Sequence, residues 1–146
     1  MKFRILRCKH CGNIIIFQDD SGVTPSCCGE TMEELLAGTE EQYADKHIPI
    51  IIKERETTKH PDLCQGSRSS KRGSCDSYVT IKVGSTQHPM EDAHYIEWIT
   101  LQTNFGTYTK FMEPGDTPAT TFCLGRGEEP ERAYAYCNIH GLWMNK

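Results

Sequence analysis

Four cysteines within the first 28 residues constrain this chain more than any other feature. Cys8-Lys9-His10-Cys11 is a Cys-x-x-Cys knuckle, and Cys27-Cys28 follows after fifteen intervening residues. The segment that carries them, Met1 to about Ala37, has one short apolar run, Ile14 to Phe17, and a turn at Asp19-Asp20-Ser21-Gly22. So few apolar residues do not bury a stable core, and segments below about 40 residues usually need a metal, a disulfide or a partner chain. Met1 to Arg7 alternates basic residues with Phe3, Ile5 and Leu6, which does not read as a secretion signal. In a reducing cytosol, metal thiolates explain clustered cysteines better than a disulfide framework.

Four thiolates in so short a segment make a tetrahedral sulfur site that suits zinc or a single iron. Consecutive side chains of an extended chain point to opposite sides. Cys27 and Cys28 therefore reach one ion only if the backbone bends, and the angle between them is expected to depart from tetrahedral. Zinc tolerates such distortion because it has no d-electron preference. Spacing does not choose the metal, and a zinc knuckle that only holds the fold stands beside a redox iron. His10, inside the knuckle, reads as a solvated side chain.

A polar connector, roughly Gly38 to Ala44, shows no helical stripe. Beyond it the pattern is strand-like: His47 to Lys53, Tyr78 to Val83, Tyr95 to Thr103, Thr107 to Met112, Thr120 to Leu124 and Ala133 to Tyr136, with turns at Asn104-Phe105-Gly106, Pro114-Gly115-Asp116 and Gly125-Arg126-Gly127. Short strands of this number, with turns between them, predict a β-sandwich. The all-β reading thus has two domains, 1–37 and 38–146. Glu54 to Ser77 is too long and too hydrophilic for an ordinary connection and reads as an exposed insertion. It holds Cys64 and Cys75, either free thiols or a reversible disulfide. Cys123, on an expected strand, reads as a small buried hydrophobe.

The 146 residues carry 16 basic and 20 acidic side chains, a formal charge of −4, with no block of Lys/Arg. Nucleic-acid binding lacks its electrostatic footprint. No apolar stretch approaches the roughly 18 residues that span a bilayer, so no membrane partner is expected.

The larger region holds His47, His88, His94 and the pair Cys137-x-x-His140. A single His is more often a surface or hydrogen-bonded residue than a ligand. Cys137-x-x-His140 is stronger, because that spacing lets a thiolate and an imidazole converge on one ion. Several imidazoles with one thiolate favour a redox metal over structural zinc, which usually closes at four ligands.

Cys8-x-x-Cys11, Cys27-Cys28, Asp45-Lys46-His47, Gly84-Ser85-Thr86-Gln87-His88-Pro89-Met90, His94-Tyr95-Ile96-Glu97-Trp98-Ile99 and Cys137-Asn138-Ile139-His140-Gly141 stand together in one order. In that order the chain resembles desulfoferrodoxin, the two-iron class of superoxide reductases, over nearly its whole length apart from the insertion. The resemblance implies a desulforedoxin-like first domain with iron on Cys8, Cys11, Cys27 and Cys28, where zinc can replace it. It implies an immunoglobulin-like β-sandwich with a second iron, His47, His88, His94 and His140 in a plane and Cys137 axial. By the same resemblance the protein reduces superoxide to hydrogen peroxide at the open position opposite Cys137. It is then expected to be a homodimer that takes electrons from a rubredoxin-type donor and works in the cytoplasm.

The resemblance gives Lys46 a catalytic role, attracting an anionic substrate to a protein of net negative charge. It also places Asp45 where the family usually has Glu, a carboxylate able to occupy the sixth iron position in the oxidised state. Aspartate has one methylene fewer, so on an unchanged loop its oxygen falls about one bond length short of a metal whose ligand distances hold within about 0.2 Å. An iron-thiolate electron carrier without catalysis, and a zinc-stabilised binding module, are the competing readings.

Overall fold

The computed structural model describes residues 4–17, 19–38, 41–54 and 76–145. The chain divides into two compact units, Met1–Ala37 and Gly38–Lys146. In the first unit β1 (Ile5–Arg7) pairs antiparallel with β2 (Ile14–Ile16) on one side and β5 (Glu33–Glu34) on the other, while β3 (Ser26–Cys27) and β4 (Glu30–Thr31) form a separate hairpin. Its core is small: Leu6, Cys8 and Met32 form a buried cluster with Phe17 and Cys27 packed against them, and Ile5 is buried as well. Arg4 ties the edges together, reaching Asp20 (3.3 Å), Thr24 (2.8 Å) and Glu34 (3.2 Å) while its guanidinium lies over the Phe17 ring. At about 1.5–3 kcal/mol per fully buried apolar side chain, four such residues do not offset the ordering of this segment.

The second unit is the expected β-sandwich. One sheet has the order β10 (Ala119–Leu124), β7 (Ser77–Val83), β6 (Pro49–Glu54), and the other β12 (Gly141–Met144), β11 (Pro130–Cys137), β8 (Ile96–Thr103), β9 (Thr107–Phe111), all antiparallel. Alternation along β7 buries Val79, Ile81 and Val83 against Ile99, Leu101, Ala133 and Ala135 of the facing sheet. Both faces of β8 are covered, with Trp98 stacked on Tyr136 (ring centroids 5.3 Å) and Thr100 bonded to Thr109 (2.8 Å) on the side away from that core.

Three readings of the sequence change. Residues 41–47 form a helix, α1 (Glu41–His47), where a connector without helix was expected. Seven residues are too few to show an amphipathic stripe, and so short a helix depends on tertiary contacts. Its last turn is closed by the Ile48 amide bonded to Ala44 (3.1 Å). The expected insertion 54–77 is narrower, because Glu54 ends β6 and Ser77 begins β7, paired through Glu54 and Tyr78. Cys64, Cys75 and the rest of 55–75 lie outside the described residues. Cys123 is half-buried rather than fully buried and is disulfide-bonded.

Antiparallel pairing gathers one set of strand ends. Pro49 at the start of β6 faces Val83 at the end of β7, and Ile96 at the start of β8 faces Cys137 at the end of β11. Ala133, Ala135 and Cys137 alternate into the interior along β11, while the register with β8 shifts between Tyr136 and Cys137, which leaves Glu97 as the extra residue on β8 and brings Ile96 inward as well. At that end, α1 enters β6, the segment 84–95 joins β7 to β8, and a tight turn joins β11 to β12.

Candidate metal centres

In the first unit the knuckle turn is closed by the Gly12 amide on the Cys8 carbonyl (3.0 Å), which points both sulfurs of Cys8 and Cys11 to one side. Across from them Cys28 takes a positive φ of 53°, followed by Gly29 at 84°. That is the bend the adjacent pair requires, and it is uncommon for a residue with a side chain. The ligand atoms of Cys8, Cys11, Cys27 and Cys28 all lie within 4.8 Å of one another. Cys11 and Cys27 sulfurs are 3.5 Å apart and those of Cys27 and Cys28 4.0 Å. A tetrahedron with metal–sulfur bonds of about 2.3 Å has edges of about 3.8 Å, so the cluster has the dimensions of a tetrathiolate site.

Cys8 and Cys28 do not ionise alike. The Cys11 and His10 backbone amides, against some burial, bring Cys8 down to about 6, whereas hydrogen bonding to Cys11, Cys27 and Cys8 pushes Cys28 up to about 12. All four reach the thiolate form together only where a cation takes up the charge. His10 is exposed beside Glu30, at 3.0 Å, as a solvated side chain should be.

In the second unit four imidazoles form a ring. Successive centroids lie 4.6 Å (His47–His88), 4.7 Å (His88–His94), 5.0 Å (His94–His140) and 4.7 Å (His140–His47) apart, with His47 and His94 facing across it at 6.2 Å. Neighbouring rings stand between 65° and 80° to each other. His47 comes from the end of α1, His88 and His94 from the β7–β8 connection, where Glu91 and His94 bridge, and His140 from the β11–β12 turn. Cys137, fully buried, has its sulfur 3.6 Å from His140 Nδ1.

The hydrogen bonds show which nitrogens are available. His47 Nδ1 donates to the Tyr43 carbonyl (2.8 Å) and His88 Nδ1 to the Pro89 carbonyl (2.5 Å). Each Nε2 is then left with a bare lone pair, yet the two face each other at 3.1 Å. Two ligands at about 2.1 Å and a right angle on one ion would be about 3.0 Å apart. His94 Nε2 is buried without a hydrogen-bond partner, a costly state unless something else binds it. The donor set therefore fits a metal ion.

Burial dominates the titration here. It pushes His88 down to about 4 and lowers His47 and His94, so these imidazoles are neutral and able to ligate at pH 7. Burial also raises the Cys137 thiol, although the His140 and Ile139 amides pull the other way, so metal uptake must displace its proton.

Asp45 and Lys46 are exposed, in the last turn of α1. The Lys46 charge bears on His94 and that of Asp45 on His47, both behind the larger effect of burial. Among the described residues, His47, His94, Cys137 and His140 group as possible ligands with no carboxylate among them. Two aromatic residues were not singled out from the sequence: Tyr43 packs on His140 (4.6 Å) and Trp143 stacks on His47 (4.8 Å) while its indole N–H donates to the His140 carbonyl (3.2 Å). Trp143, three residues past His140, was the readable one. Gly38 permits it, since a Cβ there would stand 2.9 Å from the indole.

A family model described as Desulfoferrodoxin matches residues 39–146. A desulfoferrodoxin of Nitratidesulfovibrio vulgaris is 35% identical over 142 residues, covering 97% of this chain and 94% of the relative. A desulfoferrodoxin homolog of Archaeoglobus fulgidus is 34% identical, covering 97% and 95%. Among solved structures, the superoxide reductase of Treponema pallidum aligns with a TM-score of 0.72 at 25% identity, covering 99% of this chain and 98% of the other. The Cys-clustered first unit, the β-sandwich with its imidazole ring, and these likenesses over nearly the full length agree: the chain belongs to the desulfoferrodoxin family.

Proposed function

We propose that this chain is a superoxide reductase, an oxidoreductase that binds iron on His47, His88, His94, His140 and Cys137 and a second iron, replaceable by zinc, on Cys8, Cys11, Cys27 and Cys28. The observation that carries the reading is the ring of four imidazoles with a buried thiol beside it. An iron held by these five donors would still have room to bind a small substrate. Iron held there supplies the single electron that, with two protons from solvent, turns superoxide into hydrogen peroxide.

The chain's own residues do the rest. Cys137 gives the site its one anionic donor, held by the His140 and Ile139 amides in the turn that follows β11. Hydrogen bonds from His47 to Tyr43 and from His88 to Pro89 fix which nitrogen each ring presents. Trp143, itself buried, closes the flank of His47 to water. Lys46, exposed and electrostatically felt at His94, draws the anion in. Asp45, exposed at the end of α1 and one methylene shorter than Glu, would fall short of an iron held by these residues. A carrier of electrons alone would need only the tetrathiolate site and gives the imidazole ring no role.

The proposal includes a rubredoxin-type donor, a homodimeric assembly and a cytoplasmic location. Among the described residues no helix is long and apolar enough to cross a membrane. The test mixes anaerobically reduced, iron-loaded protein with superoxide and follows superoxide by its ultraviolet absorbance. Loss far faster than self-dismutation, accompanied by growth of a visible thiolate-to-iron band, is expected; decay at the self-dismutation rate would refute the reading.

A further inference from the structure

Lys46 sits on a short support. It is the penultimate residue of α1, whose seven residues are too few to be stable in water, and the last carbonyls of any helix lack partners within it. Here that of Asp45, and that of Ile48 just beyond the helix, are met by one turn from the neighbouring connection. The Thr86 amide (2.9 Å) and the Ser85 hydroxyl (3.1 Å) both donate to the Asp45 carbonyl, and the Gly84 amide donates to the Ile48 carbonyl (3.0 Å). Gly84 has a φ of +78°, and a Cβ there would stand 2.6 Å from the Lys46 carbonyl oxygen and 2.4 Å from that of Thr86. Only a residue without a side chain lets the two backbones meet this closely.

We propose that Gly84, Ser85 and Thr86 are positioning residues for Lys46, holding the end of α1 so that the lysine stays fixed beside His47, where its charge can act on an anion approaching the site. The inference rests on the steering role given to Lys46 above. The turn spans Asp45 on one side and leads into His88 on the other, so it also links the backbone segments that carry His47 and His88. Lys46 itself is exposed, and its own side chain has no ion pair to hold it among the described residues. Without the turn, nothing else described here fixes the carbonyl of Asp45.

The test is a double-mutant cycle on the iron-loaded ferric protein, with azide as the probe anion and the thiolate-to-iron band as the readout. Lys46→Ala is expected to weaken azide binding about threefold to tenfold at low ionic strength, and much less at high salt. Ser85→Ala removes one of two donors and should weaken azide about twofold in the parent and leave it unchanged in the Lys46→Ala background. Gly84→Ala is the stronger form; if it does not fold, Ser85→Ala carries the test. An equal loss in both backgrounds would make the turn a general brace of the site, and no loss in either would separate it from the anion; either result overturns the proposal. A protein that shows the cycle with azide yet does not reduce superoxide would refute the reaction while leaving the positioning role intact.

Discussion

The two ends of the β-sandwich both bury polar side chains, and they do so in opposite ways. At one end Glu128 is buried, yet it accepts from Thr103 (2.6 Å), Tyr108 (2.9 and 3.0 Å) and the Gly125 amide (3.0 Å). At the other, His94 Nε2 is buried without a partner, and two bare nitrogens of His47 and His88 face each other. A satisfied polar cluster holds strand ends together and asks for nothing further. Gln102 Oε1, beside Thr103, is also buried without a partner, so a single unsatisfied atom does not mark the functional end; the convergence of several imidazole nitrogens on a buried thiol, a donor set suited to an ion, does.

The comparison is broken most severely at Cys137. Cys137→Ser should abolish superoxide reduction and the thiolate-to-iron band while the tetrathiolate spectrum stays intact; wild-type turnover in that variant would remove Cys137 from the site. Metal removal comes next. An ion bound at 1,000 times its dissociation constant stabilises a fold by about 4 kcal/mol, so chelation should lower the unfolding midpoint of the sandwich by that order. An unchanged midpoint would mean that the imidazole ring is satisfied without metal.

Glu128→Gln should cost about 1–3 kcal/mol, the usual effect of mispairing a buried group, and leave the iron spectrum alone. Its sign with pH is fixed. Burial opposes the charge, but the bonds from Thr103, Gly125 and Tyr108 outweigh it and hold the carboxyl below its ordinary value. A depressed carboxyl contributes stability above its unfolded pKa and loses it as pH falls through the folded one. The gap between parent and Glu128→Gln in denaturant midpoint should therefore be full at pH 7 and close below about pH 4; a gap that widens in acid would contradict this. The smallest effect belongs to Lys46→Ala, which should slow the reaction with superoxide about tenfold at most and flatten its dependence on salt. An unchanged salt profile would place the charge too far from the approach path.

The sequence disclosed one end of the sandwich far better than the other. Cysteine is conspicuous by type and Cys137-x-x-His140 announces its turn, but His47, His88 and His94 taken singly read as surface residues, and only the family resemblance named them together. Glu128 could not be named, because Thr103 and Tyr108 lie 25 and 20 residues away and an acidic residue among many carries no mark. The sandwich itself was legible from alternation in Tyr78 to Val83. Helix α1 was not, since its stability comes from Thr86 and Ser85 across the site rather than from its own residues. Strand β12 was also missed: Gly141–Met144 is four residues long and is defined by pairing with β11.

The central claim is that the imidazole-and-thiol end reduces superoxide rather than dismuting it or only carrying electrons. Stopped-flow mixing of the fully ferrous protein with limiting superoxide, with hydrogen peroxide and dioxygen both quantified, tests it most directly. One peroxide per superoxide, with one iron of the imidazole-and-thiol site oxidised and no dioxygen released, is the result the account requires. Half a peroxide per superoxide with matching dioxygen, or no oxidation of that iron, would contradict it.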